Sequence, residues 1–304
     1  MLKKLVILAI VIGVAAWAIT RPLTIDPFDI PDLTADTVNG ERIFHAGGCA
    51  ACHGDDLGGG HEMSTQFGTF HVPNITPHPA AGIGGWTLYE FANAMLRGVD
   101  PGGRHYYPAF PYTSYTRMSW QDLADLKAWL DTYPPSERVV EPHELALPWN
   151  LRRGIGLWKR LYLSPDWVLT EAPTPDLERG RYLVEALGHC GECHTPRDRF
   201  GGPKTGAWLA GAPEPAGEGK VPNITPHESA LGGWSARDIA YYLETGFTPD
   251  FDTVGGSMVE VQENLARLSD ADRAAIAASE LGWSDAERHA QLQALAAYSD
   301  SFGV

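Results

Sequence analysis

Seven consecutive residues, Val72 to His78 (VPNITPH), occur a second time as Val221 to His227, 149 positions further along a chain of 304. A repeat this long does not arise by chance, and it constrains the fold before any helix is assigned: whatever the chain builds, it builds twice. The other markers keep the same order. Gly84-Gly85-Trp86 returns as Gly232-Gly233-Trp234 at an offset of 148, and Cys49-Ala50-Ala51-Cys52-His53 returns in type as Cys190-Gly191-Glu192-Cys193-His194 at 141. The motif histidine precedes the VPNITPH segment by 19 residues in the first copy and by 27 in the second. The eight extra residues fall in the Gly- and Pro-rich stretch Gly201 to Gly219, where a surface loop tolerates insertion.

Each copy has the same helical plan. Short helices are expected at Asn39 to Gly47 and Asp176 to Gly188, just before the cysteines. Thr87-x-x-Glu90 and Ser235-x-x-Asp238 have the form of capping boxes, and the apolar positions behind them keep helical spacing up to Gly98 and Gly246, the expected stops. Ser119-x-x-Asp122 and Ser269-x-x-Asp272 predict a third helix in each copy. The expected division is an N-terminal segment 1–20, a linker 21–37, a first helical domain 38–133, an interdomain linker 134–175, a second domain 176–280 and an atypical tail 281–304. The expected class is all-α.

The 33 glycines and 23 prolines argue against a coiled coil or a plain bundle, because they interrupt long helices. The coil they imply is long for a compact domain and needs something to wrap around. A formal net charge of −15 would repel a phosphate backbone, so nucleic acid is excluded as a partner. Four cysteines are too few for a disulfide-dense scaffold, and all four lie in the two repeated motifs.

C-x-x-C-H is the attachment signature of a c-type haem. Two thiols three positions apart each add to one vinyl group of the porphyrin, and the following histidine is presented to the iron. Cys49, Cys52 and His53 would hold one haem c, and Cys190, Cys193 and His194 a second. A structural zinc site fits poorly, since the pairs are 138 residues apart and the histidines would be redundant. A redox C-x-x-C belongs beside a βαβ pattern, which the chain lacks. Disulfides would leave both histidines unexplained.

A sixth iron ligand must be sought among five methionines. Met1 is the start, Met95 lies on an apolar helix face, and Met63 is expected in a solvated Gly-rich loop. Met258, in the flexible Gly255-Gly256-Ser257 approach to a helix, is the better candidate, and Met118 the other. Matching the helix starts at Ser119 and Ser269 places Phe110, not Met118, opposite Met258. His105 is therefore an alternative sixth ligand in the first copy.

At the N-terminus, Lys3 and Lys4 precede fifteen uncharged, mostly apolar residues, Leu5 to Ile19. This pattern is an export signal or a membrane anchor. Ala16-Trp17-Ala18 resembles a cleavage site, but the stretch can span a bilayer if the lysines snorkel, and a retained anchor is favoured. The charge asymmetry puts the bulk of the chain outside the cytoplasm. In a bacterium that means the periplasm, on the inner membrane if the anchor stays and in solution if it is removed.

With both C-x-x-C-H motifs, both VPNITP segments, the GGW turns, Tyr107-Pro108-Ala109-Phe110-Pro111-Tyr112 and Leu268 to Arg273, the sequence resembles the membrane-associated dihaem c-type cytochromes. That family includes the cytochrome subunits of periplasmic alcohol, gluconate and sugar dehydrogenases, and the resemblance runs over about Val38 to Ala278. It implies two class I cytochrome c folds in tandem, a periplasmic dehydrogenase as electron donor, and a quinone pool or terminal oxidase as acceptor. Several members have Met where Phe110 stands, and their last helix continues where Gly282-Trp283 interrupts it here. The alternative function is a dihaem enzyme, a peroxidase or a thiosulfate-oxidising cytochrome; no cysteine remains to serve as an iron ligand in the latter. The resemblance also suggests that Asn74, Thr76 and Trp86, with Asn223, Thr225 and Trp234, line the haem edges, or else fix turns. Between the copies, Arg152, Arg153, Lys159 and Arg160 stand among Trp149, Trp158, Tyr162 and Trp167, and interdomain packing is their expected role.

Overall fold

The computed structural model describes residues 2–214 and 219–281. An apolar helix α1 (Leu2–Thr20) comes first, exposed along nearly its whole length. The first copy follows as α2 (Thr37–Ala46), α3 (Cys49–His53), α4 (Leu88–Arg97), α5 (Tyr112–Tyr115) and α6 (Trp120–Leu130). After α7 (Ile155–Tyr162), the second copy repeats the order with α8 (Pro175–Tyr182), α9 (Gly191–His194), α10 (Ala236–Thr245), α11 (Met258–Leu265) and α12 (Asp270–Leu281).

The caps read from the sequence are formed. Thr87 Oγ1 accepts from the Glu90 amide while Glu90 accepts from the Thr87 amide, and Ser235 with Asp238 repeats the box. Ser119 and Ser269 each accept from the amide three residues on. Gly98 and Gly246 end α4 and α10 in the left-handed conformation, at φ 58° and 77°.

In each copy the helix before the cysteines crosses the last helix through a glycine. A Cβ on Gly40 of α2 would stand 2.1 Å from the Asp125 carbonyl oxygen of α6, and one on Gly180 of α8 would stand 1.9 Å from that of Ala275 in α12. Gly180 is ten residues before Cys190 whereas Gly40 is nine before Cys49. The extra residue is absorbed by a turn of π-helix, Leu183–Leu187, that continues α8. Asp125, almost fully buried, accepts from the Asp36 amide, Asn39 and Gln121, and so pins the start of α2 to α6.

The described residues depart from the expected all-α class by two small sheets. A hairpin of β1 (Glu62–Thr65) and β2 (Gly68–His71) takes a third short strand, β3 (Glu144–Leu145), and β4 (Ala212–Pro213) pairs with β5 (Lys220–Val221). Met63, expected in a solvated loop, is half-buried on β1. Thr65, Thr69 and Phe70 favour strand geometry, and Gly68, at φ 124°, lets the Glu144 carbonyl approach where a Cβ would lie 2.2 Å away.

Neither expected linker is a free tether. In 21–37, Ile25 is buried and its amide donates to Asn93 of α4. In 134–175, Arg138 pairs with Asp56, β3 extends the sheet, and α7 packs between the copies, as expected for its aromatic residues. Trp158 donates to the Phe200 carbonyl and Tyr162 to Asp198 in the second copy, while Lys159 donates to the carbonyls of Arg97 and Gly98 at the end of α4. The tail expected from 281 onward lies outside the described residues beyond Leu281.

Candidate haem attachment sites

Each C-x-x-C-H motif forms one short helical turn, α3 or the Cys190 start of α9, with the first cysteine half-buried and the second exposed. All four thiols are free, and burial raises the pKa values of Cys49 and Cys190 to about 12. A histidine ends each turn and is gripped at two points. The ring Nδ1–H of His53 donates to the Pro73 carbonyl at 2.7 Å, and that of His194 to the Pro222 carbonyl at 2.8 Å. The backbone carbonyl of each accepts from a glycine amide, Gly59 at 2.9 Å and Gly211 at 2.7 Å. The VPN repeat thus supplies the acceptor that sets the imidazole tautomer.

With Nδ1 protonated and engaged, Nε2 carries the lone pair. Burial keeps both rings neutral, lowering the pKa of His53 to about 4 against the opposing bond to Pro73, and lowering that of His194. Two unbridged thiols and a neutral imidazole with a free Nε2 are the donor set that a covalently attached haem iron requires, and both copies offer it. Such a group supplies one-electron transfer between ferrous and ferric iron.

A strained leucine braces each grip. Leu57 and Leu209 are fully buried at φ 53° and 58°, a region costly for a branched side chain, and their carbonyls accept from the amides of Ile75 and Ile224 within the VPNIT loops, each at 3.0 Å. Asn74 accepts from Thr76 through both its amide and its hydroxyl and donates to the carbonyls of Ser136 and Arg138; Asn223 accepts from the Thr225 amide. Their visible work is therefore turn fixing. Trp86 and Trp234 pack partly buried against the core.

Met118 is buried in the apolar cluster against which Cys49 packs, and Met95 lies in that same cluster. Met258 is half-buried as the first residue of α11. His105 is drawn elsewhere: its Nε2–H donates to the Thr20 carbonyl at the end of α1, 2.9 Å away.

The two sites abut. His189, which directly precedes Cys190, donates from Nε2 to the carbonyl of Gly47, two residues before Cys49. His189 sits at φ 41°, where the first copy has Gly48 at 56°. The Tyr115 ring meets the His189 ring at 5.6 Å, and Glu192, inside the second motif, accepts from Thr113 at 2.5 Å and from Ser114 at 3.0 Å on α5 of the first copy. Arg197 and the Thr113 hydroxyl hold the Glu192 carboxyl below its usual range against the raising effect of its burial. Leu57, Leu209, His189 and Glu192 were not singled out from the sequence as functional residues. An L-x-G pattern at an offset of 152, Leu57-Gly58-Gly59 and Leu209-Ala210-Gly211, is the signal that would have found the first two.

These features define a mostly helical chain with two C-x-x-C-H turns, each carrying a neutral histidine held at two points. Residues 37–134 match the Cytochrome c family. The chain is 52% identical over 280 residues to the diheme cytochrome c-type protein of Cereibacter sphaeroides, covering 89% of this chain and 94% of that protein. It is 38% identical over 247 residues to the fructose dehydrogenase cytochrome subunit of Gluconobacter japonicus, 78% of this chain and 50% of the subunit. It is 33% identical over 237 residues to the cytochrome c subunit of the quinone alcohol dehydrogenase of Gluconobacter oxydans, 73% of this chain and 49% of that subunit. It thus spans about half the length of these two subunits. The chain belongs to the diheme c-type cytochrome family and is an electron-transfer protein carrying haem c.

Proposed function

We propose that the protein holds two haems c, one in each of two tandem class I cytochrome c domains, 38–133 and 176–280. In this reading it relays single electrons from a periplasmic dehydrogenase to a quinone pool or terminal oxidase. Cys49, Cys52 and His53 hold the first haem and Cys190, Cys193 and His194 the second, with Met118 and Met258 completing the iron coordination. The observation that carries the relay is the bond from His189 to the Gly47 carbonyl, which ties the two attachment turns together. Adjacent sites favour transfer between the haems, whereas a peroxidase needs an open iron.

The donor follows from the dehydrogenase cytochrome subunits to which the chain is similar. The inner membrane follows from α1 as a retained anchor. Arg153 donates to the Trp17 carbonyl and the Thr20 hydroxyl, and a Cβ on Gly156 of α7 would lie 2.2 Å from the Thr20 carbonyl oxygen, so the end of α1 is part of the packed structure. Cleavage after Ala18 would remove Trp17, over which the Arg153 guanidinium stacks.

A pyridine haemochrome assay on protein matured in a haem-attaching host tests the count, with two haems c per chain expected and one or none refuting it. Met118→Ala and Met258→Ala should each remove the sulfur-to-iron charge-transfer band of one haem, and persistence of both bands in either variant refutes that ligand.

A further inference from the structure

The repeat allows the surface of one copy to be compared with that of the other, and one face differs sharply. After α4, the loop from Val99 to His105 closes with a bridge between those two residues; after α10, Phe247 and Thr253 close the equivalent loop at an offset of 148. The backbone is the same. Tyr106 donates to Gly98 and Val254 to Gly246, and Gly103 donates to Asp100 as Phe251 donates to Thr248.

In the first copy the helix end and both bridge residues of this face are covered, while the loop tip with Gly103 is exposed. Lys159 of α7 donates to the carbonyls of Arg97 and Gly98, His105 donates to Thr20, and the Ile25 amide donates to Asn93. Val99 is 1% exposed, and Asn93 and His105 are buried. In the second copy the equivalents of Asn93 and Val99 are Tyr241 and Phe247, 52% and 48% exposed. Where the first copy has Gly103, the second has Phe251, 93% exposed and held at φ 63°. A bulky aromatic in that conformation costs stability, and at this exposure it gains almost no contact among the described residues. Tyr241, Phe247 and Phe251 line an open cavity of about 370 Å³ with Asp238, Thr248 and Pro249.

We propose that this face of the second copy is a docking surface for a partner protein, which presents to it a short helix with an apolar face and a lysine or arginine, as α7 does to the first copy. Charge selects the occupant. Asp250 and Asp252 are exposed on the loop that carries Phe251, the half-buried Asp238 lines the cavity, and a chain of net charge −15 favours a cationic protein segment over an anionic bilayer. A second copy of this chain is disfavoured, because Trp158 and Lys159 of its own α7 are already buried.

The test uses the full-length holoprotein in nanodiscs and, as probe, a fluorescein-labelled peptide of the α7 segment, Arg152 to Leu163, followed by anisotropy. Saturable binding is expected, weakened at least about tenfold by Phe251→Gly, which restores the first copy's residue and keeps the fold, and by Asp252→Lys. A peptide carrying Lys159→Glu should bind at least about tenfold more weakly to the unsubstituted protein. No saturable binding, or binding indifferent to both protein variants, overturns the proposal. It is also overturned if the peptide binds only after residues 282–304 are removed, which assigns the face to the chain's own tail. A dimer that Phe251→Gly dissolves would assign it to a second copy, and brominated-lipid quenching of a Phe251→Trp variant would assign it to the bilayer.

Discussion

Gly40 and Asp125 are in contact at the backbone: no side chain fits between the α2 glycine and the α6 carbonyl, since a Cβ would meet the oxygen at 2.1 Å. Gly180 and Ala275 repeat the relationship at 1.9 Å. Because the obstacle is backbone within a packed helix pair, it cannot swing aside as a flexible side chain would. Gly40→Ala and Gly180→Ala should each destabilise by about 1–3 kcal/mol through overpacking. Calorimetric unfolding checks this, and an unchanged melting temperature for either variant would show that the crossing has slack.

The repeat, the helix starts and stops, and both cysteine motifs were legible because each is a local signal. The Thr87 hydroxyl finds the Glu90 amide three residues away whatever the rest of the chain does. What stayed hidden depends on distant partners. The π-turn at Leu183–Leu187 is needed only because Gly180 must meet Ala275 while Cys190 keeps its place. The Pro73 and Pro222 carbonyls become acceptors only when the loop folds back on the motif histidine. Phe251 looked like an ordinary loop residue until its exposure and φ could be set against those of Gly103.

His189 offers a test of the contact between the two C-x-x-C-H turns. It occupies a left-handed position that the first copy fills with glycine, and its ring bonds to the Gly47 carbonyl. His189→Ala loses the bond and keeps the strain, whereas His189→Gly loses the bond and relieves it. Denaturant unfolding should find the glycine variant more stable than the alanine variant by about 1–2 kcal/mol. Equal stabilities would mean that the backbone there is not strained.

Glu192 concentrates the polar contact between the copies. It accepts from Thr113 and Ser114 of the first copy and pairs with Arg197 of the second. Glu192→Ala leaves both hydroxyls without this acceptor and takes the carboxylate from the half-buried Arg197, which keeps its bonds to the Gly201 and residue-192 carbonyls, at a cost of about 1–3 kcal/mol. Glu192→Gln keeps a carbonyl for the hydroxyls and loses only the charge, so its cost should be the smaller. Thermal unfolding of both variants decides the point, and a glutamine variant as unstable as the alanine variant would assign the whole effect to the ion pair.

Glu280 on α12 should give the protein a pH-dependent stability. Among the described residues neither of its buried carboxyl oxygens has a hydrogen-bond partner, and burial, followed by the charge of nearby Glu185, raises its pKa from 4.5 to about 8. Glu185 itself is held by the amides of Val168 and Leu169, with Arg117 3.8 Å away. Below about pH 4.5 Glu280 is neutral whether folded or unfolded and carries no penalty. Between 4.5 and about 8 the unfolded chain releases a proton that the folded chain retains. Unfolding is therefore favoured by rising pH, with a slope from this group of at most about 1.4 kcal/mol per pH unit. Above about 8 both states are ionised and the contribution levels off. Denaturant titrations at pH 5, 6.5 and 8 should show stability falling across the series, and Glu280→Gln, which cannot ionise, should flatten the fall. If the glutamine variant keeps the full slope, the pH dependence comes from groups other than Glu280.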